Sequence, residues 1–147
     1  MSRAAGRVRP SRGARVVACS VLFAGGCAFA TDPAAEVADV RGTWTYSGEQ
    51  AAPALVLTGT LSISAQQGEV LSGQLSWQEP DGSGGTANRG GAVSGRVIET
   101  TDVDFDVLVP GVTRRHVGRL VGDSIKGAWI ETASGKSGAF VAVRGTP

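Results

Sequence analysis

The 147-residue sequence predicts an all-β fold, an eight-stranded antiparallel up-and-down (meander) β-barrel. Three observations lead there. From Arg41 onward, β-branched residues and Leu alternate with polar residues or Gly, which is the period of a half-buried strand. Gly-rich turn signals interrupt that alternation at near-even spacing, as they do in sandwiches and barrels. No stretch of the region carries the period of a helix.

The chain opens on a different kind of segment. Arg3, Arg7, Arg9, Arg12 and Arg15 make a basic run with no acid, and Val16 to Ala24 is a short apolar stretch. It falls far below the ~20 residues of a membrane-spanning helix, so it reads as an export signal. Two processing sites compete. Ala28-Phe29-Ala30 is an A-x-A site that would leave Thr31 as the new N-terminus. Phe23-Ala24-Gly25-Gly26-Cys27 resembles a bacterial lipobox, with Cys27 as the lipidated first residue and Ala24 where Leu is usual. The chain thus divides into a signal segment (1–27), a flexible Ala-rich linker (28–40) and a barrel domain (41–145). The expected location is the bacterial cell envelope, lipid-anchored or periplasmic.

Cys19 and Cys27 are the only cysteines, so the exported domain has no internal disulfide and its core must hold the fold. Removing the five signal arginines leaves nine basic residues against thirteen acidic ones, a net charge near −4. Nucleic-acid binding demands a basic footprint, so it is set aside.

Strands are placed at roughly 41–47, 54–65, 69–78, 91–99, 102–109, 113–121, 124–132 and 136–144 from the alternation alone. Leu55, Leu57, Gly59, Leu61 and Ile63 form one face of the second strand, and Leu71, Gly73, Leu75 and Trp77 one face of the third. Glu79 to Gly90, polar and Gly-rich, reads as one long mobile loop. A two-residue turn at Pro110-Gly111 pairs Val109 with Val112, setting Asp106 against Arg115 and Asp102 against Arg119. A Gly122-Asp123 turn sets Leu120 against Ile125, His116 against Trp129 and Arg114 against Glu131. A Ser134-Gly135 turn sets Trp129 against Phe140. The three turns agree on one interior face: Val103, Phe105, Val107, His116, Leu120, Ile125, Trp129 and Phe140, with Gly118, Gly127 and Gly138 leaving room for the rings. A two-residue turn at Thr100-Thr101 would point Arg96 inward, so a bulge or longer loop is expected there.

With these residues in place, the region 41–145 resembles the calycins, the lipocalin and avidin group of meander barrels. Gly42-Thr43-Trp44 matches the G-x-W of a first lipocalin strand, and Arg144 sits where lipocalins pack an Arg over that Trp. Gly118-Arg119-Leu120-Val121-Gly122, followed by Trp129, is similar in form to late avidin strands. The resemblance implies a barrel with an internal site. Avidin's biotin-contacting set cannot be placed, so biotin binding is not carried over.

Strand alternation puts Trp44 and Arg144 at one end of the barrel. Tyr46, Trp77, Phe105, Arg114, His116, Trp129, Glu131 and Phe140 form the candidate ligand-binding set, most of them toward the other mouth. Aromatic surface with a few polar groups is what a small-molecule pocket requires. The same rings would also serve to fill a narrow barrel. No catalytic residue, cofactor or metal site is assigned. The lone His116 lacks a nucleophile beside it, and Asp102, Asp104 and Asp106 alternate with Val103, Phe105 and Val107, marking an acidic strand face and not a calcium loop. Gly135-Lys136-Ser137 lacks the first Gly and the helix of a P-loop. Val117, Ala128, Ile130 and Val141 lead an outward apolar stripe that is a candidate homo-oligomer face. The expected function is non-enzymatic binding of a small apolar or amphipathic ligand in the barrel mouth, with membrane contact only through a lipid on Cys27. The alternative is a protein-binding barrel (a periplasmic inhibitor or envelope assembly factor) acting through its loops or outer stripe. A third class is an isomerase or cyclase using His116 or Glu131 as acid or base.

Overall fold

The computed structural model describes residues 36–145. The signal segment, Cys27 and residues 28–35 of the linker lie outside the described residues. Eight strands follow one another: β1 (Gly42–Gln50), β2 (Leu55–Gln67), β3 (Val70–Pro80), β4 (Thr86–Ile98), β5 (Asp102–Val109), β6 (Val112–Val121), β7 (Ser124–Glu131) and β8 (Ser137–Arg144). Each pairs antiparallel with the next, and β8 returns to β1 from Trp44↔Arg144 to Gly48↔Phe140, closing the barrel. Closure leaves no open sheet edge.

The alternation read from the sequence is the inside–outside alternation of the wall. Leu57, Leu61, Ile63, Leu71, Leu75, Trp77, Val93, Val97, Val103, Phe105, Val107, Ile125, Trp129 and Phe140 are all buried, with Leu120 packed against them. Two inward glycines permit the strands to approach. A Cβ on Gly59 would run into the Ser76 carbonyl oxygen, and one on Gly138 would run into that of Glu49. A Cβ on Gly118 would meet both the Lys126 carbonyl oxygen at 2.8 Å and the tip of the Phe140 ring at 3.0 Å.

The register holds at β5–β6 and β6–β7, where Val109↔Val112, Asp102↔Arg119, Leu120↔Ile125, His116↔Trp129 and Arg114↔Glu131 are all observed. Two sequence expectations are corrected. Trp129 lies opposite Gly138, and Phe140 lies opposite Gly127. The β7–β8 connection spans Thr132 to Lys136 and is closed by Glu131 N–H to the Lys136 carbonyl at 2.8 Å, so it is longer than two residues. The slip is even, so every side chain keeps its face. The stretch 79–90 is mostly strand, with β3 and β4 continuing to Pro80↔Thr86. Only 81–85 turns, because the Asp81 carboxylate accepts from Ser83 N–H, Ser83 Oγ and Gly85 N–H within 2.9 Å. Arg115 is level with Asp106, as expected, and its guanidinium reaches diagonally to Asp104 at 2.6 Å. The β4–β5 loop is longer than two residues, as expected. It runs Glu99 to Thr101, with Glu99 and Thr100 at φ 48° and 72°, and Arg96 stays exposed.

One end is sealed. The Trp44 indole donates to the Val40 carbonyl (3.0 Å), and the Arg144 guanidinium lies 4.3 Å above the Trp44 ring. Arg144 also donates to the carbonyls of Arg41 (2.7 Å) and Asp39 (2.9 Å). Gln66 pins the same segment, accepting from Val40 N–H and donating to the Ala38 carbonyl. Residues 36–40 thus pack across the closed end, with Val40 fully buried.

Trp44→Ala removes the largest side chain of this seal and is expected to lower stability by about 3–5 kcal/mol in chemical denaturation. Gly138→Ala drives a methyl group into backbone and is expected to lower it by about 1–3 kcal/mol or more.

Candidate functional site

The half of the barrel away from the seal holds two layers of inward side chains. β6 supplies one residue to each, because Arg114 and His116 are two apart and share the inner face. The deeper layer joins Tyr46, Phe105, His116 and Phe140. Phe105 stacks on the His116 ring at 4.7 Å, Phe140 meets His116 edge-on at 5.1 Å, and Tyr46 stacks on Phe140 at 5.9 Å. His116 is fully buried. Its Nδ1 lies 3.3 Å from the Arg114 carbonyl and its Nε2 lies 3.2 Å from the Tyr46 hydroxyl. A carbonyl only accepts, so Nδ1 carries the proton and Nε2 accepts from Tyr46. Burial pushes the His116 pKa down to about 3 and raises that of Tyr46.

The layer above is built around a buried cation. The Arg114 guanidinium lies 4.4 Å from the Trp77 ring and 4.2 Å from the Trp129 ring, between the two indoles. Such stacking suits the weakly hydrated, planar guanidinium. Arg114 is only 5% exposed. Its Nη2 donates to Glu131 at 2.9 Å, while Nε and Nη1 are buried without an acceptor among the described residues, as is the Trp129 indole N–H. Burial pushes the Glu131 carboxyl up, but hydrogen bonds from Ser134 and Arg114 more than offset it and hold the group below its usual range.

All eight residues singled out from the sequence therefore converge in this half. Tyr46, Phe105, His116 and Phe140 pack on one another, and Trp77, Arg114 and Trp129 stack above them. Glu131 stands at the rim. Open space lies above the stack, in a cleft of about 180 Å³ lined by Trp77, Glu79, Arg89, Val109, Pro110, Val112, Arg114, Glu131 and Lys136. Sequence reasoning missed Glu79, Arg89 and Lys136. The first two were assigned to a loop, whereas the β3–β4 ladder brings them to the rim, where they pair at 3.0 Å and Glu79 also accepts from the Trp77 indole. A larger concavity of about 430 Å³ lies across β2, β3 and β4, lined by uncharged residues such as Thr58, Thr60, Ser76, Gln78 and Asn88 together with Arg89. The smaller cleft is the better candidate, because it alone of the two opens over a buried charge.

On the outer wall, Val117, Val121, Ile130 and Val143 are 45–61% exposed on β6, β7 and β8. Val117, Ala128 and Ala139 stand level across those three strands. Asp102 and Asp104 of the acidic face pair with Arg119 and Arg115. Among the described residues no group of His, Cys, Asp and Glu has the arrangement of a metal site.

The buried neutral imidazole makes stability depend on pH. Its folded pKa is depressed, so its contribution is complete above the ordinary value of 6.5 and is lost as pH falls toward about 3. Between these limits the loss is up to about 1.4 kcal/mol per pH unit. Urea midpoints between pH 7 and 5 are expected to fall steeply in the parent and weakly in His116→Gln. Imidazole proton shifts that titrate near 6.5 in the folded protein would contradict the burial.

No family model matches the chain, and no curated protein matches it either. Solved structures do. A redesigned β-barrel, mFAP1, bound to DFHBI superposes with a TM-score of 0.62 at 11% identity, covering 71% of this chain and 94% of its own. A de novo designed fluorescence-activating β-barrel superposes with a TM-score of 0.60 at 15% identity, covering 71% of this chain and 93% of its own. At such identities the likeness is one of barrel fold.

Proposed function

We propose that the protein is an exported, non-enzymatic binding protein that holds a small amphipathic ligand at the open end of its barrel. One observation carries this reading: the cleft above Arg114, walled by Trp77 and floored by a cation held between two indoles. Its volume is below the ~300 Å³ where drug-sized pockets begin, so it suits a head group or a compact molecule. Val109, Pro110 and Val112 on the same rim offer apolar surface to a tail. The designed barrel with bound DFHBI is a precedent for a small ligand in this fold. The Arg144–Trp44 stack supports kinship with the calycins. The basic run, the short apolar stretch and Cys27 support a place in the bacterial envelope, lipid-anchored or periplasmic. A second reading, self-association or protein binding through the outer stripe, is favoured by the exposure of Val117, Val121, Ile130 and Val143.

Tryptophan fluorescence titrated with an apolar probe and a lipid panel is expected to saturate. Trp129→Leu is expected to weaken binding about tenfold, or 1.4 kcal/mol. A parent protein that shows no saturable response eliminates the mouth as a ligand site and promotes the second reading. For export, Cys27→Ser is expected to abolish acyl labelling and release soluble protein. A native N-terminus at Thr31 would refute lipidation and leave export intact.

A further inference from the structure

We propose that the mouth cleft selects a ligand with an anionic oxygen head group, a carboxylate or related oxyanion, and that Arg114 is its clamp. This rests on the reading that the open end binds a small molecule, and it assigns the chemical class that the site prefers.

The argument starts from the donors. The Arg114 guanidinium carries five N–H donors in a fixed plane and no acceptor. Among the described residues only Nη2 has an acceptor, and it is one oxygen of Glu131; the other Glu131 oxygen accepts the Ser134 hydroxyl at 2.6 Å. Nε and Nη1 of Arg114 and the indole N–H of Trp129 remain buried without acceptors among the described residues. Buried polar groups in folded proteins are nearly always paired, and an unpaired charged donor is the costliest exception. The two indoles fix the guanidinium plane, so the side chain cannot turn its free nitrogens to water. The group that completes this site must therefore offer acceptors.

The surrounding charge selects the same class. Arg89, Arg114 and Lys136 line the cleft against Glu79 and Glu131, which leaves one excess positive charge. A cationic ligand would face three donors and no free acceptor on the clamp. A neutral amide would offer one acceptor but bring N–H groups of its own. A carboxylate brings acceptors alone, and charge-assisted bonds to guanidinium are among the strongest available. Above the clamp the Glu79–Arg89 pair is partly exposed, and a surface ion pair of this kind contributes little, so it yields to an incoming head group.

The test uses the purified exported chain at low salt and four probes: octanoate, octanamide, octylamine and acetate. Calorimetry gives affinities, and the side-chain ¹H–¹⁵N signals of Arg114 Nε and the Trp129 indole report the donors directly. Octanoate is expected to bind at least tenfold more tightly than octanamide, with both signals moving downfield, and octylamine is expected not to bind. Equal affinity for octanoate and octanamide with both signals unmoved overturns the anion clamp and leaves mouth binding standing. Acetate binding as tightly as octanoate upholds the clamp and removes the amphipathic tail. Failure of all four probes overturns mouth binding, and the clamp with it. Arg114→Gln risks unfolding the stacked layer, so the rim variant Lys136→Glu serves as well. It is expected to weaken octanoate at least fivefold and octanamide by a smaller factor; no change for octanoate overturns the proposal.

Discussion

Closing eight strands through the β1–β8 ladder fixes the width of the interior, and the remaining features of the molecule answer that constraint. An eight-stranded barrel is just wide enough for side chains to fill it or to hold one small ligand. Here mainly aliphatic side chains pack behind Trp44 in the sealed half, and rings dominate the other half. Tyr46, Phe105, His116 and Phe140 lie 4.7–6.1 Å apart, centre to centre, in one contiguous layer. Filling the centre moves any binding outward, to the rim, where the space that remains is polar and charged.

His116 shows how a polar ring becomes core. Each nitrogen has one partner, the Arg114 carbonyl on one side and the Tyr46 hydroxyl on the other, and a parallel Phe105 covers one face. With its pKa near 3 it stays neutral at any physiological pH and joins the layer as a hydrogen-bonded aromatic. The buried cation among the described residues is Arg114, one layer higher, where Glu131 and two indole faces compensate only part of its charge.

Most of the barrel was legible in the sequence because a period of two and a few two-residue turns over-determine a meander. Val109↔Val112 and Leu120↔Ile125 follow from Pro110-Gly111 and Gly122-Asp123, and they carry Arg114 to Glu131 without further information. The β7–β8 turn was misjudged because a Ser-Gly pair resembles a tight turn. Its five-residue connection is closed by backbone bonds that no local composition announces. The 79–90 stretch misled for the opposite reason. Its polar and glycine residues lack a strand's composition, yet the ladder to β3 does not need apolar side chains at the rim. That error hid Glu79 and Arg89. The convergence of the aromatic set was legible, whereas its mutual packing was not, because alternation gives the face of a residue and not the distance across the barrel.

The two ends of the barrel use one device differently. At the sealed end Arg144 lies on Trp44 at 4.3 Å, and both of its terminal nitrogens donate to backbone carbonyls of the strap at Asp39 and Arg41. That side chain is one-third exposed and each of its terminal nitrogens has a carbonyl acceptor, which makes it a clasp. At the open end Arg114 lies between two indoles at similar distances and is far more deeply buried, yet one of its three nitrogens has an acceptor. A cation that served only to close the barrel would be expected to resemble Arg144, with carbonyls brought to it by the chain. The fold supplies such a strap at one end. At the other it leaves buried donors beneath a cleft, and that asymmetry is the ground on which ligand binding is proposed at the mouth.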